Sequence, residues 1–488
     1  MNTITTHHNR SFKMGLFSKP DSLHQKQIAA NAPPPKPAPA SVDDGRIQIG
    51  GIKIPRRLEN RGFIFSGAPG VGKSVAVTNI MDTLTSRDGA DFGLVSDRSG
   101  IYTSRYFQPA RDAILNPLDA RAEPWSLLAE LQDEHSALVL ARAIVPDGEG
   151  SGAEWNAYAQ SFMQAILSYS WSRNLKNRDI LQLSIFSTLE ELDEVLAGSP
   201  AYGLIAPGAE KMFASVRAIV SSHMMPFARL DPGAGRDSFS IRAWVNQRDT
   251  RGRGWLFWNY TTAQMYPLRP LIAAQVDIFC EALMTLAPDD NRRGWLVLDE
   301  FSSIGKVSNI ENFVTNARKH GGCSILGMQS IAQINHLYSE MPARSILSSI
   351  GSSLILRTSD AQTADYLSQQ IGDHQISRWV SSSSRGISDG PTGCGSSTNE
   401  SQSEQIAIER VYLPVQLMKM PDLHAVLNLA GDVPVAEVDL PIPGHRQPVA
   451  DPFVKREAPQ PVLSPPKPPA PPPEPVAAPA LDALDDLL

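Results

Sequence analysis

The feature that most constrains this chain is a phosphate-loop motif, G-x-x-x-x-G-K-S/T, close to its start. The motif consists of Gly67, Ala68, Pro69, Gly70, Val71, Gly72, Lys73 and Ser74. An apolar segment at 62–66 predicts a strand before it, and apolar residues at helical spacing over 75–81 predict a helix after it. In such a turn, backbone N–H groups surround phosphate oxygens at the positive end of the helix dipole. We therefore expect a nucleotide-binding α/β domain, with Lys73 on the β- and γ-phosphates and Ser74 on Mg²⁺.

A second motif is a buried-strand pattern that ends in two acids. Residues 292–300 read RRGWLVLDE, an apolar run that finishes in Asp299 and Glu300. We expect Asp299 to hold Mg²⁺, and Glu300 to orient and deprotonate an attacking water. A helix N-cap or a solvated loop is the alternative interpretation of this pair, and the complete phosphate loop favours the catalytic one.

Composition indicates a large protein made and kept on the cytoplasmic side. The 488 residues suffice for two or three domains, and three cysteines without metal-like spacing predict no disulfide framework. A net charge of −7 means that any contact with DNA would use local basic patches. No run of 18 apolar residues occurs, and residues 1–20 lack the apolar core of a signal peptide. We therefore expect no transmembrane segment in this chain.

Sequence patterns divide the chain into four predicted parts. Residues 1–45 are polar and then rich in Pro and Ala, which predicts a disordered linker. Strands alternate with helices over 46–124 and again over 233–443, which predicts one domain with a parallel-rich sheet. Residues 125–232 have helical periods and predict an inserted all-α domain. The Pro-rich, acidic-ended tail at 444–488 is either a stiff spacer whose last residues fold on a partner or a solvated tail without one.

Within the α/β part, the patterns predict individual elements. Isoleucines around Gly50 and Gly51 predict a hairpin, and a helix is predicted over 268–286. The Ser- and Gly-rich stretch 381–405 is predicted to be a mobile loop. Further strands are predicted at 92–97, 112–117, 239–245, 254–258, 324–329 and 353–357.

A glutamine ends the strand predicted after the acidic one. Residues 310–322 predict a helix with a basic end and a glycine stop, and the following strand finishes at Gln329. A polar side chain at this tip can contact the γ-phosphate or the attacking water. The alternative is that Gln329 caps the next helix, and the residues alone leave both open.

Several short motifs, in this order, resemble the TraD/TrwB-type coupling proteins of conjugation and type IV secretion. They are the phosphate loop, LNP at 115–117, EW at 154–155, LDEF at 298–301, ARKHG at 317–321 and GMQS at 327–330. The resemblance runs from about Arg46 to Pro443. It implies a RecA-like nucleotide-binding domain, an all-α domain that faces the cytoplasm, and a homo-hexameric ring. It also implies a DNA-translocating ATPase that uses ATP and Mg²⁺ and delivers single-stranded DNA with its relaxase or relaxosome, or protein substrates, to a secretion channel at the inner membrane.

The same resemblance implies an arginine supplied to the nucleotide of a neighbouring protomer. Arg357, at the end of a predicted strand, is the candidate, and a surface ion pair is the alternative. In a ring, the arginines around 239–258 could track a DNA backbone through the pore, or they could form a solvated hairpin tip. These arginines are Arg242, Arg248, Arg251 and Arg253.

The chain departs from this family at its start. Family members normally have two transmembrane helices before the hairpin, whereas residues 1–45 are hydrophilic here. We expect recruitment to the membrane through a partner or through a separate membrane polypeptide. Two other functions fit the motifs: a DNA-pumping ATPase outside secretion, of the FtsK or HerA sort, and a cargo adaptor that nucleotide switches between conformations.

Overall fold

The structure, a computed structural model, describes residues 45–87, 91–148, 150, 152–251, 253–390 and 393–457. The predicted linker up to Asp44 and the tail from Ala458 lie outside the described residues. Within the described ranges, no helix combines the length and the hydropathy that crossing a membrane requires.

The centre of the described chain is a nine-stranded sheet in the order β13-β12-β9-β3-β8-β7-β4-β6-β5. Strands β9 to β5 in this order pair in parallel, and β12 and β13 add an antiparallel edge. The predicted parallel-rich sheet is thus confirmed. The strands are β1 (Gln48–Ile49), β2 (Ile52–Lys53), β3 (Phe63–Ser66), β4 (Asp91–Arg98), β5 (Ala113–Ile114), β6 (Gly254–Tyr260), β7 (Arg293–Leu298), β8 (Gly322–Met328), β9 (Ser352–Leu356), β10 (Asp373–Gly390), β11 (Gly393–Arg410), β12 (His424–Asn428) and β13 (Ala436–Asp439).

Helices cover both faces of the sheet, and most of those between β5 and β6 form the helical insertion. The α-helices are Arg56–Glu59, Lys73–Ser86, Ile101–Tyr106, Glu134–Ile144, Gly152–Ser172, Asn177–Ile185, Leu189–Leu196, Glu210–Met224, Ile241–Arg251, Thr262–Thr285, Ile310–Asn316, Ile331–Tyr338, Glu340–Ser349, Ala361–Ile371 and Pro414–Met418. Short 3-10 helices are Leu128–Glu130, Pro200–Ile205, Met225–Arg229, Phe301–Ser303 and Ala317–His320.

Each inner strand is buried on both faces, which explains its continuous apolar sequence. On β4, Leu94 packs into the core shared with the helical insertion, and Val95 packs into the core shared with the helix Lys73–Ser86. The insertion therefore has one apolar core in common with a face of the sheet.

One predicted strand is wrong: residues 241–251 form a helix where 239–245 had been expected in the sheet. The carboxylate of Glu130 is buried and accepts hydrogen bonds from the backbone N–H of Ile241 at 2.6 Å and of Arg242 at 3.1 Å. Ser240 Oγ accepts from the N–H of Ala243 at 3.1 Å. These acceptors satisfy the first N–H groups of the helix. Glu130, which is distant in sequence, accepts two of the three hydrogen bonds, and Ser240 accepts one.

Residues 381–390 and 393–405, which were predicted to belong to a mobile loop, are strands. They lie inside an antiparallel ribbon of β10 and β11, which pair from Asp373 opposite Arg410 to Gly390 opposite Gly393. Backbone groups supply the hydrogen bonds of a two-stranded ribbon, so few apolar side chains are needed to form it.

Residues 444–457, at the start of the predicted tail, contact the rest of the described chain. The N–H of Val449 donates to Ser104 O at 2.8 Å, and the N–H of Ala120 donates to Val454 O at 2.8 Å. Residues up to about Glu457 therefore pack along the helix Ile101–Tyr106 that follows β4 and along the loop that follows β5.

A buried acid makes stability pH-dependent. Asp277, in the helix Thr262–Thr285, is 2% exposed and accepts from the backbone N–H of Asn309 at 2.6 Å. Burial raises its pKa from 3.8 to about 7, against the hydrogen bonds from Asn309, and the charge of Glu281 adds to the rise. The folded state therefore holds this proton more tightly than the unfolded state does, and the resulting stability is lost as the pH rises from about 4 through 7.

We expect the melting temperature of the wild type to fall more between pH 5 and pH 8 than that of Asp277→Asn, which removes the titration. Asp290→Asn, at an exposed position, serves as the control and should keep the wild-type slope. Parallel melting curves for the wild type and Asp277→Asn would contradict this assignment.

Candidate functional site

The phosphate loop links β3 to the helix that begins at Lys73, as the sequence predicts. Gly70 and Gly72 have positive φ angles of 79° and 121°. A Cβ on Gly72 would also lie 2.8 Å from Leu423 Cδ2. Glycine at this position is therefore required both by the backbone conformation and by the close packing of Leu423.

Three backbone hydrogen bonds brace the loop from neighbouring strand ends. The N–H of Gly67 donates to Met328 O at 3.2 Å, and that of Ala68 donates to Arg357 O at 2.8 Å. The N–H of Leu423 donates to Val71 O at 2.9 Å, and Leu423 has a positive φ of 64°. The loop is thus fixed by β8, by β9 and by the segment before β12, which local sequence patterns do not reveal.

The Lys73 ammonium lies over the loop and faces the acids of β7. Its Nζ donates to Gly67 O at 2.6 Å and to Ala68 O at 3.1 Å, and the residue is 7% exposed. Burial lowers the pKa of Lys73, and the nearby charges of Glu300 and Asp299 oppose that change. The charges of Glu300 and Asp299 therefore stabilise the Lys73 ammonium in its position beside the loop carbonyls.

A hydrogen bond joins the two sequence motifs: Ser74 Oγ donates to Asp299 Oδ2 at 2.7 Å. Strand β8 lies between β3 and β7, and its Gly327 permits the close approach because a Cβ there would lie 1.9 Å from Asp299 O. Burial raises the pKa of Asp299, whereas the Ser74 hydrogen bond and the Lys73 charge lower it. Asp299 Oδ1 is buried and has no hydrogen-bond partner among the described residues.

Glu300 and Gln329 are in direct contact. The Gln329 amide donates to Glu300 Oε2, and Ser302 Oγ donates to Glu300 Oε1 at 2.9 Å. The side chain of Glu300 caps no helix, and Ser330 rather than Gln329 caps the helix Ile331–Tyr338. The geometry thus argues against the capping alternative for both residues and leaves their polar groups beside the loop.

Arg357 forms a surface ion pair within its own chain. Its Nη2 lies 2.6 Å from Asp422 Oδ1, and its side chain is 41% exposed. Its carbonyl binds Ala68 of its own phosphate loop. Within a single chain, Arg357 therefore makes the ion pair that was the alternative interpretation. Its role toward a neighbouring protomer stays a prediction.

Among the arginines expected to line a pore, the three with described side chains do not form one exposed cluster. Arg242 is 6% exposed, and its Nη2 lies 2.5 Å from Glu281 Oε2, so the expected contact with a DNA backbone is wrong for this residue. The Arg253 guanidinium donates to Thr85 O, and that of Arg248 lies over the ring of Trp244. The side chain of Arg251 lies outside the described residues.

Asp97, at the end of a predicted strand, lies near the two acids although no sequence motif indicated a role for it. The register of β4 and β7 pairs Ser96 with Leu298, so Asp97 and Asp299 follow at the same level of the sheet. Burial raises the pKa of Asp97 to about 6, the N–H of Thr103 lowers it, and the charge of Asp299 adds to the rise. The sequence pattern that could have identified Asp97 is an apolar strand that ends in an acid, as in β7.

Hydroxyl and carboxylate oxygens are ligands that Mg²⁺ prefers in proteins. The Ser74 hydroxyl and the Asp299 carboxylate already lie together, and Asp299 Oδ1 is a buried acceptor without a partner in the described chain. These residues therefore fit a Mg²⁺–nucleotide complex held by the phosphate loop.

Known coupling proteins are similar to the chain, TraD in sequence and TrwB in sequence and architecture. The chain is 27% identical over 417 residues to the coupling protein TraD of Escherichia coli K12. The alignment covers 85% of this chain and 57% of TraD. The solved bacterial conjugative coupling protein TrwBdeltaN70, in an unbound form, aligns with a TM-score of 0.74 at 27% identity, over 85% of this chain and 93% of that one. TrwB in complex with ADP and Mg²⁺ aligns with a TM-score of 0.73 at 26% identity, over 85% and 93%. The likeness to TrwB confirms the predicted RecA-like fold.

A family model covers most of the chain. Residues 46–441 match the family described as the type IV secretion-system coupling protein DNA-binding domain. The predicted family resemblance is thus confirmed, and the chain spans 57% of the length of TraD. The chain belongs to the coupling-protein family of type IV secretion systems.

Proposed function

We propose that the chain is an ATP-hydrolysing coupling protein that moves single-stranded DNA and its bound relaxase, or protein substrates, toward a type IV secretion channel. The observation that carries this proposal is the 2.7 Å hydrogen bond between Ser74 and Asp299. It joins the phosphate loop to the acidic strand. The charges of Asp299 and Glu300 act on Lys73, and Gln329 contacts Glu300.

The loop is suited to hold a nucleoside triphosphate. Its backbone N–H groups and the first turn of the helix Lys73–Ser86 provide donors for the phosphates, and Lys73 neutralises the β- and γ-phosphates. Ser74 and Asp299 would hold Mg²⁺. When bound, the ion stabilises negative charge on the phosphate oxygens. ATP as the nucleotide is supported by TrwB, which has been solved with ADP and Mg²⁺ and with the ATP analogue ADPNP.

Glu300 is suited to activate the attacking water. Its two carboxylate oxygens are each fixed by a hydrogen bond, one from Gln329 and one from Ser302. A carboxylate held in this way can orient the water and accept its proton as the phosphoryl group is transferred. Gln329, at the tip of β8 between the loop strand and the acidic strand, would contact the same water or the γ-phosphate.

The family description supports the proposed partners. Single-stranded DNA, a relaxase or relaxosome, channel components at the inner membrane and a homo-hexameric ring fit a coupling protein, and the family description names DNA binding. In such a ring, Arg357 is the candidate arginine for the nucleotide of a neighbour. It would have to leave Asp422 to reach that position.

The test measures ATP hydrolysis and particle mass of the full chain, each with and without single-stranded DNA. We expect both to rise together, with hydrolysis rising several-fold, because a ring assembled on DNA completes each site from two protomers. Nucleotide binding without turnover under either condition would instead support a switched adaptor. Stimulation by duplex DNA alone would support a pump outside secretion.

A further inference from the structure

Asp97 is a buried carboxylate at the tip of β4, on the side of the acidic strand away from the phosphate loop. β4 pairs with β7, and one residue beyond the pair Ser96 and Leu298 the next residues are Asp97 and Asp299. Neighbouring strands lie about 4.8 Å apart, so these two carboxyl groups start from adjacent backbone positions. Asp97 is 0% exposed.

The short helix Ile101–Tyr106 supplies donors to this carboxylate and to Asp299. The Thr103 hydroxyl and the N–H of Tyr102 face Asp97, and the Tyr102 hydroxyl faces Asp299. Asp97 Oδ2 accepts a hydrogen bond from the N–H of Thr103 at 2.7 Å. Asp97 Oδ1 is buried without a hydrogen-bond partner in the described chain, and the same holds for Asp299 Oδ1. Two adjacent carboxylates are costly to bury in their charged form unless a cation compensates them, because hydroxyl and N–H donors supply no net charge.

The position of Asp97 distinguishes it from Asp299. Asp299 touches Ser74 of the phosphate loop directly, whereas Asp97 lies one strand farther from that loop. Mg²⁺ bound to nucleotide phosphates keeps several of its waters, and those waters need acceptors. A carboxylate just beyond the ligand shell provides them.

We propose that Asp97 is a positioning residue of the Mg²⁺ site, which accepts hydrogen bonds from the waters of the ion beside Asp299. The proposal rests on the proposed nucleotide function and adds a residue to its metal shell. The alternative is that Asp97 only caps the short helix Ile101–Tyr106 through Thr103. Asp97→Asn separates the two, because an amide oxygen still caps the helix but carries no charge toward the ion.

The experiment titrates a fluorescent ADP analogue into the full chain in MgCl₂ and, separately, in EDTA. We expect Mg²⁺ to tighten ADP binding by the wild type. The same gain in affinity should be about tenfold smaller in Asp97→Asn, as is usual when an outer-shell partner of a metal is removed. Its affinity in EDTA and its melting temperature in EDTA should match or exceed the wild-type values. Asp112→Asn, which changes a buried acid at the opposite ends of the strands, should keep the full gain.

Each outcome is decisive. A full Mg²⁺ gain in Asp97→Asn would overturn the proposal and leave Asp97 as a helix cap. Asp97→Ser, which retains a small acceptor for Thr103, repeats the test if the Asn variant does not fold. Failure of both variants to fold would assign a structural role and also overturn the proposal. A wild-type chain that binds no ADP would instead contradict the proposed function itself.

Discussion

Lys73→Ala is expected to lower ATP turnover by about 10²–10³-fold, the usual effect of removing one preorganised donor from charge that develops in a transition state. The Lys73 ammonium lies within 2.6 Å of a loop carbonyl and is attracted by Glu300 and Asp299. Without it, the site contains two acids and a set of carbonyls facing a tetra-anionic nucleotide. The measurement is phosphate release at saturating ATP, with and without single-stranded DNA.

Lys211→Ala provides the matched control. Lys211 is an exposed lysine in the helical insertion, so the same change in net charge is made without touching the loop. We expect wild-type turnover from this variant. Turnover of Lys73→Ala equal to that of the control would remove the phosphate loop from the mechanism.

The local parts of the site could be predicted from sequence because their signals are local. The glycine spacing, the apolar strand before it and the helix after it all lie within 62–86, and the structure reproduces them. The acid-tipped strand β7 was equally visible as an apolar run. Because parallel strands end at one edge of a sheet, the two motifs were expected to meet, and Ser74 contacts Asp299.

The rest depends on contacts between residues distant in sequence. The helix Ile241–Arg251 is capped by Glu130, and no pattern near 241 indicates that carboxylate. Likewise, Leu423 braces Val71 only because β12 joins the sheet beside β9. To predict that Asp97 lies level with Asp299 requires the register of β4 against β7. Strand order and register are tertiary properties, so periodicity and propensity could not supply them.

The helix Thr262–Thr285 illustrates a different limit. The predicted start at residue 268 follows Pro267, yet the helix begins six residues earlier and contains both Pro267 and Pro270. Proline normally ends or kinks a helix, so local rules place the boundary after it. A capping box at Thr261 and Gln264 and the buried packing of Met265 and Leu268 hold the first turns.

Glu300→Gln is expected to lower turnover by about 10²–10³-fold, within the usual range for a general base, while ADP and ATP binding stay unchanged. The substitution preserves shape, since the new amide can still accept from Gln329 through its oxygen and can donate to Ser302 Oγ through its nitrogen. It loses only the negative charge that would take the proton of the attacking water. Nucleotide affinity and single-turnover hydrolysis, measured on the same preparation, separate binding from chemistry. Glu340→Gln, at an exposed acid, should leave both quantities at wild-type values, and preserved turnover in Glu300→Gln would transfer the role of base to another group.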